Sequence, residues 1–261
     1  MSEETTVLYD LSDGIATITL NRPQVYNAFN EQMHAGLQEA LRMAERDPAA
    51  RVLVITGAGK AFCSGQDLKE IPLDGSRSIG ESVRQRYNPL IRRVRAISKP
   101  VIAAVNGVAA GAGFSLALAC DLRIAIDSAR FVAAFSNIGL VPDSGMTYFL
   151  PRLIGHARAL ELCMLGGTID AATAHTWGMV NQVAPADAFP GAVRALAGRL
   201  ANGPATALSL IKRGFDLSLS GTLEQVLDWE AQAQQIAGSS PEYVEGVTAF
   251  REKRPAQFRR E

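Results

Sequence analysis

The stretch PVIAAVNGVAAGAGFSLALACDLRIAIDS, residues 100–128, decides the fold class. PVIAAVNG is a continuous apolar run ending in turn residues, the pattern of a strand buried on both faces. LRIAIDS, after Asp121, repeats it. Between them lie three spaced glycines, Gly107, Gly111 and Gly113, and a helical pattern from Phe114 to Cys120. Strand, helix and strand in succession imply a crossover unit and a parallel or mixed sheet. RVLVITG (51–57) is another buried strand. GIATITLNRP (14–23) alternates Ile15, Thr17 and Thr19 against Ala16, Ile18 and Leu20 and ends at a proline, which predicts a strand. AFNEQMHAGLQEALRMAERD (28–47) spaces Phe29, Met33, Leu37, Leu41 and Met43 as a helix, and a further helical pattern runs from Glu81 to Ile97. After about residue 157 strand signals become scarce. HARALELCML, AATAHTWGM, FPGAVRALAGRLAN, ATALSLIKRGFDLSL, TLEQVLDWEAQAQQIAGSS and PEYVEGVTAFREK all suit helices. The expectation is an α/β core followed by a helical C-terminal third.

Length and charge narrow the function. The chain has 261 residues and is 48% hydrophobic, enough for one large domain or a domain with an appendage. Its 26 basic side chains balance 26 acidic ones, so no global field favours nucleic acid or an anionic membrane. MSEETTVLYDLSDG, at the N-terminus, is acidic and lacks the apolar region of a secretory signal. The longest apolar stretches are broken by Gly, Asn, Asp or Arg, so none reads as membrane-spanning. Cys63, Cys120 and Cys163 are odd in number and widely spaced, which suggests a reducing compartment. His34, His156 and His175 form no ligand-spaced pair, and a metal enzyme is not expected.

Three segments could carry chemistry. GKAFCSGQDLKE (59–70) follows a strand, but Gly59-Lys60 precedes Ala61 rather than Ser or Thr, and the first glycine of a phosphate loop is missing. It is either an ordinary strand-to-helix loop or a place where Ser64-Gly65-Gln66 points N–H groups at a ligand. The G-x-x-x-G-x-G spacing of Gly107, Gly111 and Gly113 is not the dinucleotide fingerprint. It allows close backbone approach, and the helix near Phe114 aims free N–H groups and its positive end at the loop. Such a site can hold a developing oxyanion; close packing of a helix on a sheet is the alternative. GFSLA around Ser115 has the look of a nucleophile elbow, with His156 or His175 as base, but an elbow sits directly on a strand end. The third segment is VPDSGMTYFLPRLIG (141–155). Asp143 can cap a helix starting at Met146, or act as a single base whose pKa is raised by apolar walls. Residues 131–142 contain no second acid.

With two glycine-rich loops after buried strands, the sequence resembles the crotonase family, the enoyl-CoA hydratase/isomerase superfamily. NRPQVYNAFN (21–30), AFCSGQDLKE (61–70), KPVIAAVNGVAAGAGFSLALACDLRIA (99–125) and EGVTAFREKRPAQF (245–258) carry the resemblance in order, over nearly the whole chain. It implies a crotonase-like spiral β/α core in residues 1–200 and a helical C-terminal region in 201–261 that trimerises, often as a dimer of trimers. It implies a cytoplasmic enzyme acting on acyl-CoA thioesters, with no metal and no cofactor beyond the coenzyme A of the substrate. The backbone N–H groups of Gln66 and Ala112 would hold the thioester oxygen. Gln24, Val25, Ala61, Ser64, Gly65, Asp67, Leu68, Gly111 and Phe135 would contact substrate, and Phe250 and Lys253 would complete a neighbouring subunit's site.

Hydratases of this family carry two glutamates, at positions that are Ser115 and Phe135 here. GLVPDSGMTYFLPRL (139–153) and RYNPLIRRVRAISKPVI (86–102) are similar instead to an isomerase subgroup. That subgroup handles the ring epoxide of phenylacetate catabolism and interconverts 3- and 2-enoyl-CoA, as in fatty acid metabolism. Met146 stands where the subgroup usually has a second glycine, either narrowing the pocket or leaving it unchanged. The resemblance thus implies an acyl-CoA isomerase, of the 2-(1,2-epoxy-1,2-dihydrophenyl)acetyl-CoA or Δ3,Δ2-enoyl-CoA type, with Asp143 as proton shuttle. The alternatives are an enoyl-CoA hydratase and a non-catalytic CoA-binding scaffold.

Overall fold

In the computed structural model, which describes residues 5–71 and 78–259, β1 (Val7–Ser12) and β2 (Ile15–Leu20) form an antiparallel hairpin. Ala16, Ile18 and Leu20 are buried on one face of β2, as its period-two pattern requires. α1 (Glu31–Arg46) follows, with the Asn30 side chain accepting the Met33 N–H at 2.9 Å as its cap. Met33, Leu37 and Leu41 are its buried stripe, while Met43 is exposed. β3 (Val52–Gly57) returns parallel to β2, and the chain turns into the short β4 (Ala61–Cys63). α2 (Ile79–Ser82) passes through a π-helical turn at Val83–Tyr87 into α3 (Asn88–Ala96). β5 (Val101–Val105), β6 (Val108–Ala110), α4 (Ala112–Ala119), β7 (Leu122–Ile126) and β8 (Arg130–Val132) come next. Then follow α5 (Met146–Ile154), α6 (His156–Met164), β9 (Thr168–Asp170), α7 (Ala171–Thr176), β10 (Gln182–Ala184) and α8 (Phe189–Ala201). Three helices close the chain: α9 (Ala205–Ser218), α10 (Leu223–Gly238) and α11 (Pro241–Glu252).

Two sheets result. The larger has the order β1-β2-β3-β5-β7-β10, parallel except for β1; the smaller has the order β4-β6-β8-β9. Each of β3, β5 and β7 is followed within a few residues by a short strand in the other sheet, so the chain advances as a spiral. Asn106 fastens one corner: its Nδ2 donates to Gly57 O at 2.8 Å and its Oδ1 accepts from Gly57 N at 3.0 Å. α4 packs against β4 and β6 of the smaller sheet and against α3 and α5 with every residue buried, which is why it shows no polar face. At its C-terminal end sits the buried guanidinium of Arg123, donating to Cys120 O at 2.6 Å, Leu118 O at 3.3 Å and Met179 O at 2.6 Å.

The structure amends the sequence-based outline at four points. α4 begins at Ala112, two residues before Phe114, and the helix expected over Glu81–Ile97 contains the π-helical turn. Two strands, β9 and β10, lie beyond residue 157; each has three residues, too few to display a period. β1 occupies part of the acidic N-terminal stretch, whose residues 1–4 lie outside the described residues. Among the described residues no helix is long and apolar enough to cross a membrane.

Candidate active site

A cleft of about 150 Å³ opens beside the loop that follows β4 and the start of α4. Leu68, Ile71, Ile79, Val83, Phe135, Ile138 and Leu140 give it apolar walls. Ser64, Gly65, Gln66, Gly111, Ala112 and Asp143 bring polar atoms to it. The two glycine-rich loops meet here. Gly65 has φ +93°, and a Cβ at that position would stand 3.0 Å from Ala110 O and 3.4 Å from Ala112 N, so only glycine permits the approach. Phe29 N donates to Gly65 O at 2.7 Å and Asp67 N to Phe29 O at 2.9 Å, which leaves the Gln66 N–H out of that ladder. Ala112 opens α4, where N–H groups lack intrahelical partners. Neither the Gln66 nor the Ala112 N–H has an acceptor among the described residues. Two such amides, one backed by a helix dipole, suit an oxygen that gains negative charge.

The side chain of Gln66 is pinned. Its Nε2 donates to Phe29 O at 3.0 Å and Asp67 O at 3.2 Å, and the Tyr87 hydroxyl donates to its Oε1 at 2.6 Å. Asp67 pairs with Arg22 at 3.0 Å and accepts Lys69 N. Ser64 is anchored through its N–H to Tyr26 O at 3.0 Å and its hydroxyl to Val25 O at 3.3 Å. Val25 and the exposed Gln24 form a one-turn 3-10 helix, and Ala61 is buried in β4. Gln24, Val25, Ala61 and Asp67 are not among the residues that line the cleft. Phe250, 84% exposed on α11, and Lys253, at its left-handed C-cap, are not brought to the cleft of their own chain.

Asp143 faces the cleft and does not cap α5 with its side chain, contrary to one expectation from sequence. The cap position is Gly145. Ser144 and Gly145 both have positive φ, +54° and +84°, and this turn presents the main chain of Asp143 to the helix. The Asp143 carbonyl accepts Met146 N at 3.0 Å and the Ser115 hydroxyl at 3.0 Å. The freed carboxyl is partly buried among the apolar walls, which raises its pKa; the Ser144 hydroxyl, donating to Oδ1 at 2.8 Å, acts in the opposite sense.

The model of the enoyl-CoA hydratase/isomerase family matches residues 10–261. The chain belongs to that family. A 1,2-epoxyphenylacetyl-CoA isomerase of Escherichia coli K12 is 48% identical over 255 residues, covering 97% of both chains. A Rhodobacter capsulatus protein named "Probable enoyl-CoA hydratase" is 44% identical, again over 97% of both. The crystal structure of an enoyl-CoA hydratase from Bacillus anthracis superposes with a TM-score of 0.93 at 33% identity, covering 98% of this chain and 100% of that one. The α/β fold is thus the crotonase fold.

Within this family member, Ser115 and Phe135 flank the two amides without offering a carboxyl. Ser115 is buried, and its hydroxyl donates to Asp143 O and to Gly111 O at 3.3 Å. That arrangement is not a nucleophile elbow: the residue lies inside a helix, and His175 Nδ1 is engaged with Val180 O. Phe135 is buried against Gly111. Met146 does not line the cleft. It is fully buried in the core, its sulfur 3.9 Å from that of Cys163. Tyr87 and Ser144 were not singled out from sequence. Tyr87 sits in a helical run like any other residue, and nothing in a serine announces a positive φ.

Proposed function

We propose that this chain is an acyl-CoA isomerase. The observation that carries this reading is that, among the described residues, Asp143 is the one carboxyl in an apolar cleft that also holds two unpaired amides, with a serine and a phenylalanine beside it. The thioester oxygen binds the N–H groups of Gln66 and Ala112, the oxyanion hole. Asp143 takes a proton from the acyl chain, and the resulting dienolate keeps its negative charge on that oxygen. The same carboxyl returns the proton to a different carbon, moving the double bond. With a ring epoxide the outcome is rearrangement to a seven-membered oxepin. The 48% identical isomerase supports the aromatic substrate, in phenylacetate catabolism; a 3-enoyl-CoA is the simpler probe.

Hydration is the second reading, favoured by the name of the Rhodobacter relative. It needs one group to deprotonate water and another to protonate the α-carbon. Asp143 alone serves one role at a time. The test is kcat/KM on 3-enoyl-CoA and 2-enoyl-CoA of equal chain length, followed through thioester conjugation in the ultraviolet. Isomerisation is expected to exceed hydration at least about tenfold, a barrier difference of about 1.4 kcal/mol. Equal or faster hydration would replace the isomerase assignment, and no reaction on either would leave a CoA-binding scaffold.

The same proposal includes an assembly. Residues 1–200 form the catalytic core and 201–261 the region through which three copies associate, as a homotrimer or a dimer of trimers. No residue of α9 or α10 is buried, and Ile211, Phe215, Leu227 and Ile236 are exposed on them, which supports an apolar contact with another copy. Phe250 and Lys253 then reach a neighbour's substrate site. The acyl-CoA brings its own coenzyme A, so no separate cofactor or metal takes part, and the reaction is placed in the cytoplasm.

A further inference from the structure

We infer that Ser144 is a positioning residue that occupies Oδ1 of Asp143, so that Oδ2 alone takes and returns the substrate proton. This rests on the proposed role of Asp143 as the proton carrier.

Ser144 is 2% exposed and has φ +54°, in the left-handed region that a non-glycine residue enters at a cost. Glycine would adopt this conformation freely, as Gly145 beside it does. What the serine adds is its hydroxyl, and the left-handed turn swings that hydroxyl onto the preceding carboxyl, 2.8 Å from Oδ1. On the other side the Asp143 carbonyl is fixed by Ser115 Oγ and Met146 N, both at 3.0 Å. The residue is therefore held at its main chain and at one carboxyl oxygen. No hydrogen bond or ion pair engages Oδ2 among the described residues.

This arrangement suits both protonation states. In the first transfer the C–H bond breaks, its electron pair enters the conjugated enolate, and the proton joins Oδ2. Oδ1 is then the carbonyl oxygen of a neutral acid and still accepts the Ser144 hydroxyl. In the second transfer the proton leaves Oδ2 for the other carbon, and the carboxylate is restored. The serine hydroxyl need not rotate in either step, yet it favours the ionised form more, because a bond to a charged acceptor is stronger. Among the described residues that line the cleft, none other than Asp143 carries a charged side chain; Glu81, Arg84 and Arg86 lie on the same elements as Ile79 and Val83 but outside the lining. α4 carries no ionisable side chain, and neither does the turn Ser136–Ile138. Among the described residues the other ionisable group on the cleft wall is Tyr87, whose hydroxyl donates to Gln66. Arg152 of α5 lies over the Tyr148 ring, and Cys63 beneath the loop is buried with its thiol pKa pushed up to about 12.

The test compares Ser144→Ala, Ser144→Gly and Asp143→Asn with the parent, using 3-hexenoyl-CoA and the pH profile of kcat/KM. Without the hydroxyl the carboxyl protonates more readily, so the acid limb moves to higher pH. Both Ser144 variants are expected to lose about tenfold at the acid end and only about twofold at the alkaline end. Ser144→Gly should melt above Ser144→Ala, because glycine fits the left-handed turn, while showing the same displaced profile. Acid limbs that superimpose on the parent's, or a loss uniform across pH, would overturn the inference. If Asp143→Asn is inactive while the Ser144 variants follow the parent, only the inference about Ser144 fails. If Asp143→Asn turns over normally, the proton-carrier role fails and takes the inference with it.

Discussion

Asp143 is held between opposing influences: apolar burial raises its pKa, and the Ser144 hydroxyl lowers it. Burial is the larger, so the folded state holds the proton more tightly than the unfolded chain. Between the ordinary carboxylate pKa and the raised one, the folded state binds more protons than the unfolded, and stability falls as pH rises through that window. The deficit persists at neutral pH. Asp143→Asn is therefore expected to melt above the parent at neutral pH, with the gain shrinking toward acid pH, where the carboxyl is protonated in both states. Calorimetric scans across pH check this. The same variant should lose about a hundredfold or more in isomerisation, the scale of lost acid–base catalysis. That Asp143 stands alone among apolar residues was legible in the sequence. That its side chain turns away from α5 was not, because the turn depends on a serine at φ +54°.

Helix α4 is held by contacts that a single methyl group would break. A Cβ on Gly113 would stand 2.2 Å from Cys63 O, in the backbone of β4. Gly113→Ala is expected to cost about 3 kcal/mol, read as a lower urea midpoint, because backbone cannot move aside as a flexible side chain can. Gly198, in the interior of α8, has nothing within 4 Å of the same position. Gly198→Ala should gain about 0.5–1 kcal/mol by helix propensity alone. The contrast tests whether the close approach, and not the residue type, is what matters. At this scale legibility followed length. β3, β5 and β7 each carry five or six residues and announced themselves as apolar runs. β4, β6 and β8 have three residues each, and their extended form comes from pairing with one another across the spiral. The loops that hold Gln66 and Ala112 were visible through their glycines, but their meeting at Gly65 depends on that second sheet.

The C-terminal helices were readable as helices; a partner for them is suggested only by family resemblance, because local pattern does not name one. Phe215 is 73% exposed on α9. Sedimentation at micromolar concentration is expected to give a trimer or larger for the parent and a smaller species for Phe215→Glu; a monomeric parent would contradict the assembly. Inside the molecule, Arg123 has an effect that reaches beyond the carbonyls it satisfies. Among the described residues its guanidinium bonds to main-chain oxygens alone, and two of these, Leu118 O and Cys120 O, lie at the far end of the helix that begins at Ala112. Those oxygens are where the negative end of the helix dipole resides. With a full positive charge seated on them, the negative pole is cancelled, and the pair no longer behaves as a dipole whose two ends offset each other at a distance. Eight residues span about 12 Å, so the positive end of α4 is left less offset by its opposite pole. That end, at the Ala112 amide, is where an enolate oxygen would form, and no cation has to enter the apolar cleft.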